Sequence, residues 1–317
     1  MLEISNLKKV VITLLIILIA FPITVLGFIY YKLNSVYIPD DYDKTDQMQD
    51  NSIVNILLVG VDGAYLDKGN RSDSMMIFTI DNKNKCIKLT SLARDTYVDI
   101  NGYSTEKLTH AYAYEGPTLL LDAIRENFEL NIDKYITVNF NSFIDLVDIV
   151  DGVEVMITEN DLDILNSTIP GCYELDTKEN KKDIKLVEKS GMNLLNGYQA
   201  LAFSRIRYHD GAYERDRRQR EVIEGIIKKV EDTGIEKYMA IINAGIKNVK
   251  TNISPKEMLS LGYSALKIGS NDIKQLEFPI YKSSEKLDKK GWVIKWDKDK
   301  NLDDLNEFIF ENKDVTQ

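Results

Sequence analysis

The chain has 317 residues, 44% of them hydrophobic and 28% charged, and a net charge of −10 at neutral pH. That length and ordinary globular composition support one large domain or two small ones outside any membrane segment, and no low-complexity run or internal repeat is present. The acidic balance argues against nucleic acid as a partner, because affinity for it comes from neutralising phosphates.

In chain order, Val10 to Tyr31 carries no charge, and about 20 such residues span a bilayer core as a helix. Lys8 and Lys9 precede it, which favours a cytoplasmic N-terminus, and Asp40, Asp41, Asp43 and Asp46 follow. The apolar region of a cleaved signal peptide is shorter, and no A-x-A-like site follows this one. The expected organisation is a cytoplasmic tail (1–9), a transmembrane helix (10–31), a polar stalk (32–52), a catalytic domain (53–282) and a charged C-terminal extension (283–317). Everything after the span then lies outside the cell.

Ile53–Val61 is a nearly continuous apolar run, the mark of a strand buried on both faces, and it ends at Asp62-Gly63. Met75–Ile80 and Cys86–Leu92, joined across Asn82-Lys83-Asn84, form a hairpin or meander. Thr118–Phe128 has helical spacing, Tyr135–Phe140 reads as a strand, Phe143–Val150 as a short helix and Val153–Ile157 as a strand. Asp161–Lys189 is polar and irregular, an insertion or a lid. Helices are expected over Leu195–Phe203, Tyr213–Asp232, Ile235–Asn248 and Pro255–Ile268, the last capped by Ser254, with a late strand at Ile273–Phe278. Trp292 and Trp296 are the packing points expected in the tail. Strands alternating with helices predict an α/β domain, a mixed central sheet flanked by helices.

The arginines are unevenly placed. Of nine, six fall between Arg205 and Arg220, Arg71 lies in NRSDS, Arg94 in SLARDTY, and Arg125 alone lies elsewhere. Arginine, unlike lysine, presents a planar fork that grips carboxylate or phosphate oxygens. Arg205 and Arg207 share one face of an extended segment, as two forks on a diphosphate would. On the helix from Tyr213, Glu214–Arg218, Asp216–Arg220, Arg217–Glu221 and Arg220–Glu224 have the i,i+4 spacing of solvated pairs. Arg215 has no acid at three or four residues, and it shares the apolar stripe with Gln219, Val222, Ile223, Ile226 and Val230. Arg215 and Gln219 are therefore expected to point inward, Arg215 toward an anion from elsewhere, and Arg217 and Arg220 toward water, with Arg218 between.

Asp62 and Asp73 stand where two buried strands end, so two carboxylates can meet at one sheet edge. That pair suits magnesium, which takes one or two carboxylates and completes its shell with water and phosphate; a turn aspartate and a capping aspartate are the plainer alternative. Arg94 with Asp95 can equally be a local strand-end pair. Cys86 and Cys172 are the only cysteines and do not by themselves establish a disulfide. His110 and His209 lack partners at zinc-ligand spacing and are read as structural or surface residues.

The ordered motifs GVD, RSDS, SLARDTYV, KLTHAYAYEG, FIDLVDIVDGVEV, LNGYQALAFSRIR and YERDRRQREVI resemble the LytR-CpsA-Psr family over about residues 55–230. The resemblance implies a mixed sheet between helices with a long apolar pocket. It also implies a phosphotransferase that moves a glycopolymer, such as teichoic acid or capsule, from an undecaprenyl-diphosphate carrier to peptidoglycan. Asp62 and Asp73 would hold magnesium, and Arg94, Arg205, Arg207, Arg215 and Gln219 would grip the diphosphate, with Arg71 and Arg218 as further ligands. Asp95 and Asp210 are candidate proton acceptors. An aspartate common three residues before the Arg215 position is Ala212 here, and Gly63-Ala64 replaces an arginine common after GVD. The same residues would serve a hydrolase of the lipid diphosphate; a non-catalytic envelope binding or regulatory protein is the third reading.

Overall fold

The structure, a computed structural model, describes residues 20, 23–39, 52–63, 66, 69–176, 181, 183–207, 211–244 and 249–315. Most of the expected membrane span and stalk, with His209 and Asp210, lies outside the described residues. Within the span, residues 23–31 are helical. Among the described residues no helix is long and apolar enough to cross a membrane.

The domain begins with three strands that pair in sequence: β1 (Ile53–Val61), β2 (Ser72–Asp81) and β3 (Cys86–Leu92). A short ribbon of β4 (Tyr97–Val98) and β5 (Glu106–Lys107) leads into helices α1 (Leu108–Glu115) and α2 (Pro117–Phe128). Then come β6 (Lys134–Val138), α3 (Phe140–Ile149), β7 (Val153–Ile157), α4 (Glu159–Leu175), β8 (Gly191–Leu195), α5 (Gly197–Arg205) and α6 (Gly211–Glu231). The chain closes with α7 (Ile235–Ala244), β9 (Val249–Thr251), α8 (Pro255–Ile268), β10 (Ile273–Phe278), β11 (Lys282–Leu287), β12 (Gly291–Trp296) and α9 (Lys298–Phe310).

Six strands form a mixed sheet in the order β10-β3-β2-β1-β6-β9. Neighbours β1, β2 and β3 are antiparallel, whereas β6 runs parallel to β1 and β10 parallel to β3. Alternation along the strands sends Leu57, Val59 and Ile77 into a core beneath α1, α2 and α9. Ile56, Met76 and Ile80 point to the opposite face, which α8 and the apolar side of α6 cover. A separate apolar cluster joins α3, α4, α5, the β7–β8 ribbon and α6 through Ile144, Leu165, Phe203 and Val222.

Several boundaries differ from the sequence reading. The second strand starts at Ser72 rather than Met75, so Asp73 lies inside it. Lys134–Val138 and Phe140–Ile149 replace the expected strand and helix, because Asn139 ends the one and caps the other, accepting from the Ser142 N–H at 3.0 Å. Leu195 ends a strand instead of opening a helix. Segment 161–189 is not irregular throughout: Thr158 caps α4, and Leu165, Ile169 and Cys172 recur at helical spacing on its buried side. Pro170, inside that helix, hides the pattern from a reader who takes proline as a breaker.

The tail is also more than a charged extension. Leu305, Phe308 and Ile309 of α9 are buried in the first core. Lys88, fully buried, donates to the Ile309 carbonyl at 2.7 Å and pairs with Asp81 at 2.7 Å, fastening α9 to β3. Trp296 packs edge-on against Phe128 and Phe278. Trp292, expected as a packing point, is 62% exposed. Cys86 and Cys172 are both free and buried; burial pushes the Cys172 thiol up to about 11.

Candidate active site

Strands β1, β3, β6 and β10 run the same way, so their carboxyl ends share one edge of the sheet, the edge where ligands bind in open α/β sheets. Asp62 follows β1 there. Its backbone N–H donates to the Arg71 carbonyl at 3.2 Å, and its Oδ1 accepts from the Arg71 N–H at 2.8 Å. The β1–β2 register shifts between Gly60, opposite Ser74, and Val61, opposite Ser72. Asp73 is the extra residue of that bulge, and a bulge re-aims a side chain in this way.

Arg94 lies two residues beyond β3. The Ala93 N–H donates to the Phe278 carbonyl at 2.9 Å, and the Arg94 carbonyl accepts from the Thr109 N–H at 3.1 Å, so its backbone is tied to β10 and α1. The Arg94 guanidinium donates through Nη1 to Asp73 Oδ1 and through Nε to Asp95 Oδ2, the latter at 3.4 Å. Burial works against its charge, but Asp73 and Asp95 outweigh that and raise its pKa. Arg207 Nη2 reaches Asp73 Oδ2 at 3.5 Å. One carboxylate is thus bracketed by two forks.

The expected extended segment is not what places them: Arg205 ends α5 and Ile206 is its C-cap, so Arg205 and Arg207 flank the buried Ile206 at a helix terminus, and both are exposed. The Arg205 guanidinium lies 4.6 Å above the Phe140 ring. Arg207 is lowered in pKa by burial first, then by the charges of Arg94 and Arg215, with Arg205 adding to them and Asp73 opposing. Arg94 and Arg207 thus both reach Asp73, and Arg215 and Arg205 lie near enough to Arg207 for their charges to lower its pKa, so positive charge is in excess around Arg207. Such an excess attracts an anion with several oxygens.

Helix α6 supplies the rest. Ser74 Oγ donates to Gln219 Oε1 at 2.8 Å, and Gln219 Nε2 donates to the Ser204 carbonyl at 3.3 Å, so Gln219 links β2, α5 and α6. Arg215 points inward as its stripe implies, but its carboxylate comes from the next residue: Asp216 Oδ1 accepts from Arg215 Nε at 3.0 Å and Nη2 at 2.7 Å. Burial raises the Asp216 pKa, with Arg215 opposing.

The expectation that Arg220 faces water is overturned. It is 3% exposed and donates to Ser91 Oγ at 2.9 Å and Gln275 Oε1 at 3.1 Å. Arg218 pairs across space with Asp161 of α4 at 2.5 Å, not with Glu214. The cause is position: α6 is wedged between the sheet and the second apolar layer, so both its sides are covered. Of the i,i+4 arginine pairs expected on α6, Arg217–Glu221 is the one that forms among the described residues, and Arg217 also pairs with Glu214.

Other expected residues stand further from the cluster. Arg71 meets Asp62 through its backbone, and its side chain is exposed. Asp95 is held by Lys107 at 3.0 Å as well as by Arg94, a pairing that orients Arg94. Asp161, Ser91 and Gln275, which hold Arg218 and Arg220, escaped the sequence reading, and Asp216 was read there as the partner of Arg220 whereas it accepts from Arg215.

Among the described residues no group of three or more His, Cys, Asp or Glu side chains forms a metal site. Asp62 and Asp73 lie at the same end of adjacent strands and offer hard carboxylate oxygens, the donor type and number that magnesium takes from a protein when phosphate completes its shell.

The sequence model of the LytR_cpsA_psr family matches residues 28–306. The chain belongs to the LytR-CpsA-Psr family. It is 37% identical over 212 residues to the polyisoprenyl-teichoic acid–peptidoglycan teichoic acid transferase TagU of Bacillus anthracis, covering 66% of this chain and 63% of that protein. The chain thus spans somewhat under two thirds of the length of that relative. Among solved structures it resembles TagT bound to LIIa-WTA, with 26% identity, a TM-score of 0.64, and coverage of 82% of this chain and 91% of that one. It also resembles the protein gbs0355 of Streptococcus agalactiae, with 29% identity, a TM-score of 0.67, and coverage of 86% and 93%.

Proposed function

We propose that this LytR-CpsA-Psr protein is an envelope phosphotransferase. It moves a teichoic-acid-type glycopolymer from a polyisoprenyl-diphosphate carrier to peptidoglycan outside the cell, through a phosphodiester link. The observation that carries the reading is the convergence of Arg94 and Arg207 on Asp73 at the carboxyl edge of the sheet, with Arg205 and Arg215 close enough to act on Arg207. The likeness to the teichoic acid transferase TagU and to TagT bound to LIIa-WTA supports the polymer class.

In the transfer, a hydroxyl oxygen of the peptidoglycan acceptor forms a bond to the phosphorus bearing the glycan. The bridging P–O bond breaks, and the carrier leaves as its monophosphate. Phosphoryl transfer needs mainly positioning and charge stabilisation. Arg94 and Arg207 release Asp73 partly and turn their forks onto the diphosphate, with Arg205 and Arg215 adding charge and Gln219 fixing the α5–α6 junction. Asp62 and Asp73 would hold magnesium, which would neutralise charge developing on the phosphate oxygens. The acceptor's proton passes to a base for which Asp95 and Asp210 are the candidates.

The carrier's polyprenyl chain would lie against the apolar cluster of α3, α5 and α6. Phe140 borders that cluster and carries Arg205 above its ring, so lipid and phosphate sides meet there. Residues 10–31 would span the membrane and hold the domain at its outer face.

Equilibrium binding to the full chain in detergent tests this reading, with a short fluorescent polyprenyl diphosphate compared against its monophosphate. The diphosphate should bind at least about tenfold more tightly, and the preference should collapse in Arg207→Ala. Equal binding of the two lipids would remove the basis for a diphosphate site.

A further inference from the structure

Helix α8 carries two apolar stripes. Met258, Leu261, Ala265 and Ile268 pack on the sheet around Ile56, Ile80 and Ile253. Leu259, Tyr263 and Leu266, spaced i, i+4 and i+7, face outward and are 43%, 70% and 41% exposed. A surface helix ordinarily buries one stripe and solvates the other side with polar residues. Here the other exposed positions of the helix are Lys256, Ser260, Gly262 and Lys267. No carboxylate is exposed on this helix, in a chain with 50 acidic residues. Its one acid, Glu257, is drawn back onto the cap, where Oε2 accepts from the Ser254 N–H at 3.0 Å and from Ser254 Oγ at 2.6 Å.

The N-terminal segment meets the domain at the root of this helix. Tyr37 bridges Thr251, the Ile38 N–H donates to the Thr251 carbonyl at 2.8 Å, and Ser254 caps α8 three residues later. The helix at residues 23–34 that leads to this point exposes Ile23, Leu26, Tyr30 and Tyr31 and carries Lys32 near its end. Tyrosine and lysine in that position are the anchors of a membrane–water interface.

We propose that α8 is a second membrane contact. It lies in the plane of the bilayer surface, with Leu259, Tyr263 and Leu266 at the boundary of headgroups and acyl chains and Lys256 and Lys267 on anionic headgroups. The inference rests on the reading of residues 10–31 as a membrane anchor. With two points of attachment, the domain's orientation to the bilayer is fixed, and the arginine cluster meets its lipid-linked donor at a set height.

The test uses the full chain in vesicles containing phosphatidylglycerol, with single nitroxide labels at Tyr263→Cys on α8, Asp288→Cys on the β11–β12 turn, and Leu26→Cys in the N-terminal helix. The native cysteines are buried and stay unlabelled. Accessibility to oxygen is compared with accessibility to a water-soluble nickel chelate. The label at 263 should favour oxygen, opposite to the label at 288. A label at 263 as aqueous as the one at 288 overturns the proposal. So does a label at 263 shielded from both quenchers and broadened by a second spin, because a second copy of the chain then covers the stripe. The label at 26 reports the anchor separately, so failure of the anchor reading is distinguishable from failure of the α8 contact.

Discussion

Arginine side chains carry most of the functional argument, and they divide by what holds them. Arg207 is half exposed and, among the described residues, its ion pair is with Asp73, so Arg207→Ala should change stability by no more than about 1 kcal/mol. Transfer should fall by at least about a hundredfold, the loss typical of removing one preorganised charge from a transition state; parallel urea melts and transfer assays check both. Arg218 is the opposite case. Asp161→Asn takes the carboxylate from a pair that is 2% and 4% exposed, and it should cost about 3 kcal/mol in a urea melt. Asp81 gives a pH test. Burial alone would raise its pKa, but Asn84 and Lys88 outweigh burial and bring it below the ordinary 3.8. A depressed acid contributes stability above its unfolded pKa and loses it as pH falls through the folded one. Asp81→Asn should therefore be less stable than the parent at pH 7, with the gap narrowing only once pH drops below about 3.8. A gap that does not change between pH 7 and that point and beyond would contradict this assignment. At this scale the sequence was informative about type and poor about partners. Arg215 could be turned inward from its stripe alone, whereas Arg220 could not, because Ser91 and Gln275 stand 129 and 55 residues away.

Among the elements, the strands were the most legible, since a strand buried on both faces leaves an apolar run with no competing pattern. The β1 and β3 limits match the sequence reading residue for residue. Helix α4 was hidden by Pro170, and α9 by its charge: LDDLNEFI carries acids on one side and buries Leu305, Phe308 and Ile309 on the other. Because α9 closes the first core, Phe308→Ala should cost about 3–4 kcal/mol and lower the thermal midpoint. A loss under 1 kcal/mol would mean that the tail packs only loosely. The bulge at Asp73 was equally invisible, because it exists only in the pairing of β2 with β1. Sequence spacing placed Asp73 before the strand; register placed it within, aimed at Arg94.

For the whole molecule, the ends of β1 and β3, the bulge in β2 and the helices α5 and α6 bring residues from Asp62 to Gln219 to one sheet edge. The class of fold followed from alternating strands and helices, but the strand order that gathers these ends did not, because it depends on crossovers that leave no local mark. The central claim is that this edge transfers a glycan from a lipid diphosphate to peptidoglycan. It is tested most directly by following a labelled glycan on a polyprenyl diphosphate, with purified peptidoglycan and magnesium, in the parent chain and in Arg207→Ala. The account predicts label fixed to peptidoglycan by the parent, lost in the variant and lost with EDTA. Free phosphorylated glycan with none on the wall, or transfer undiminished in Arg207→Ala, would contradict it.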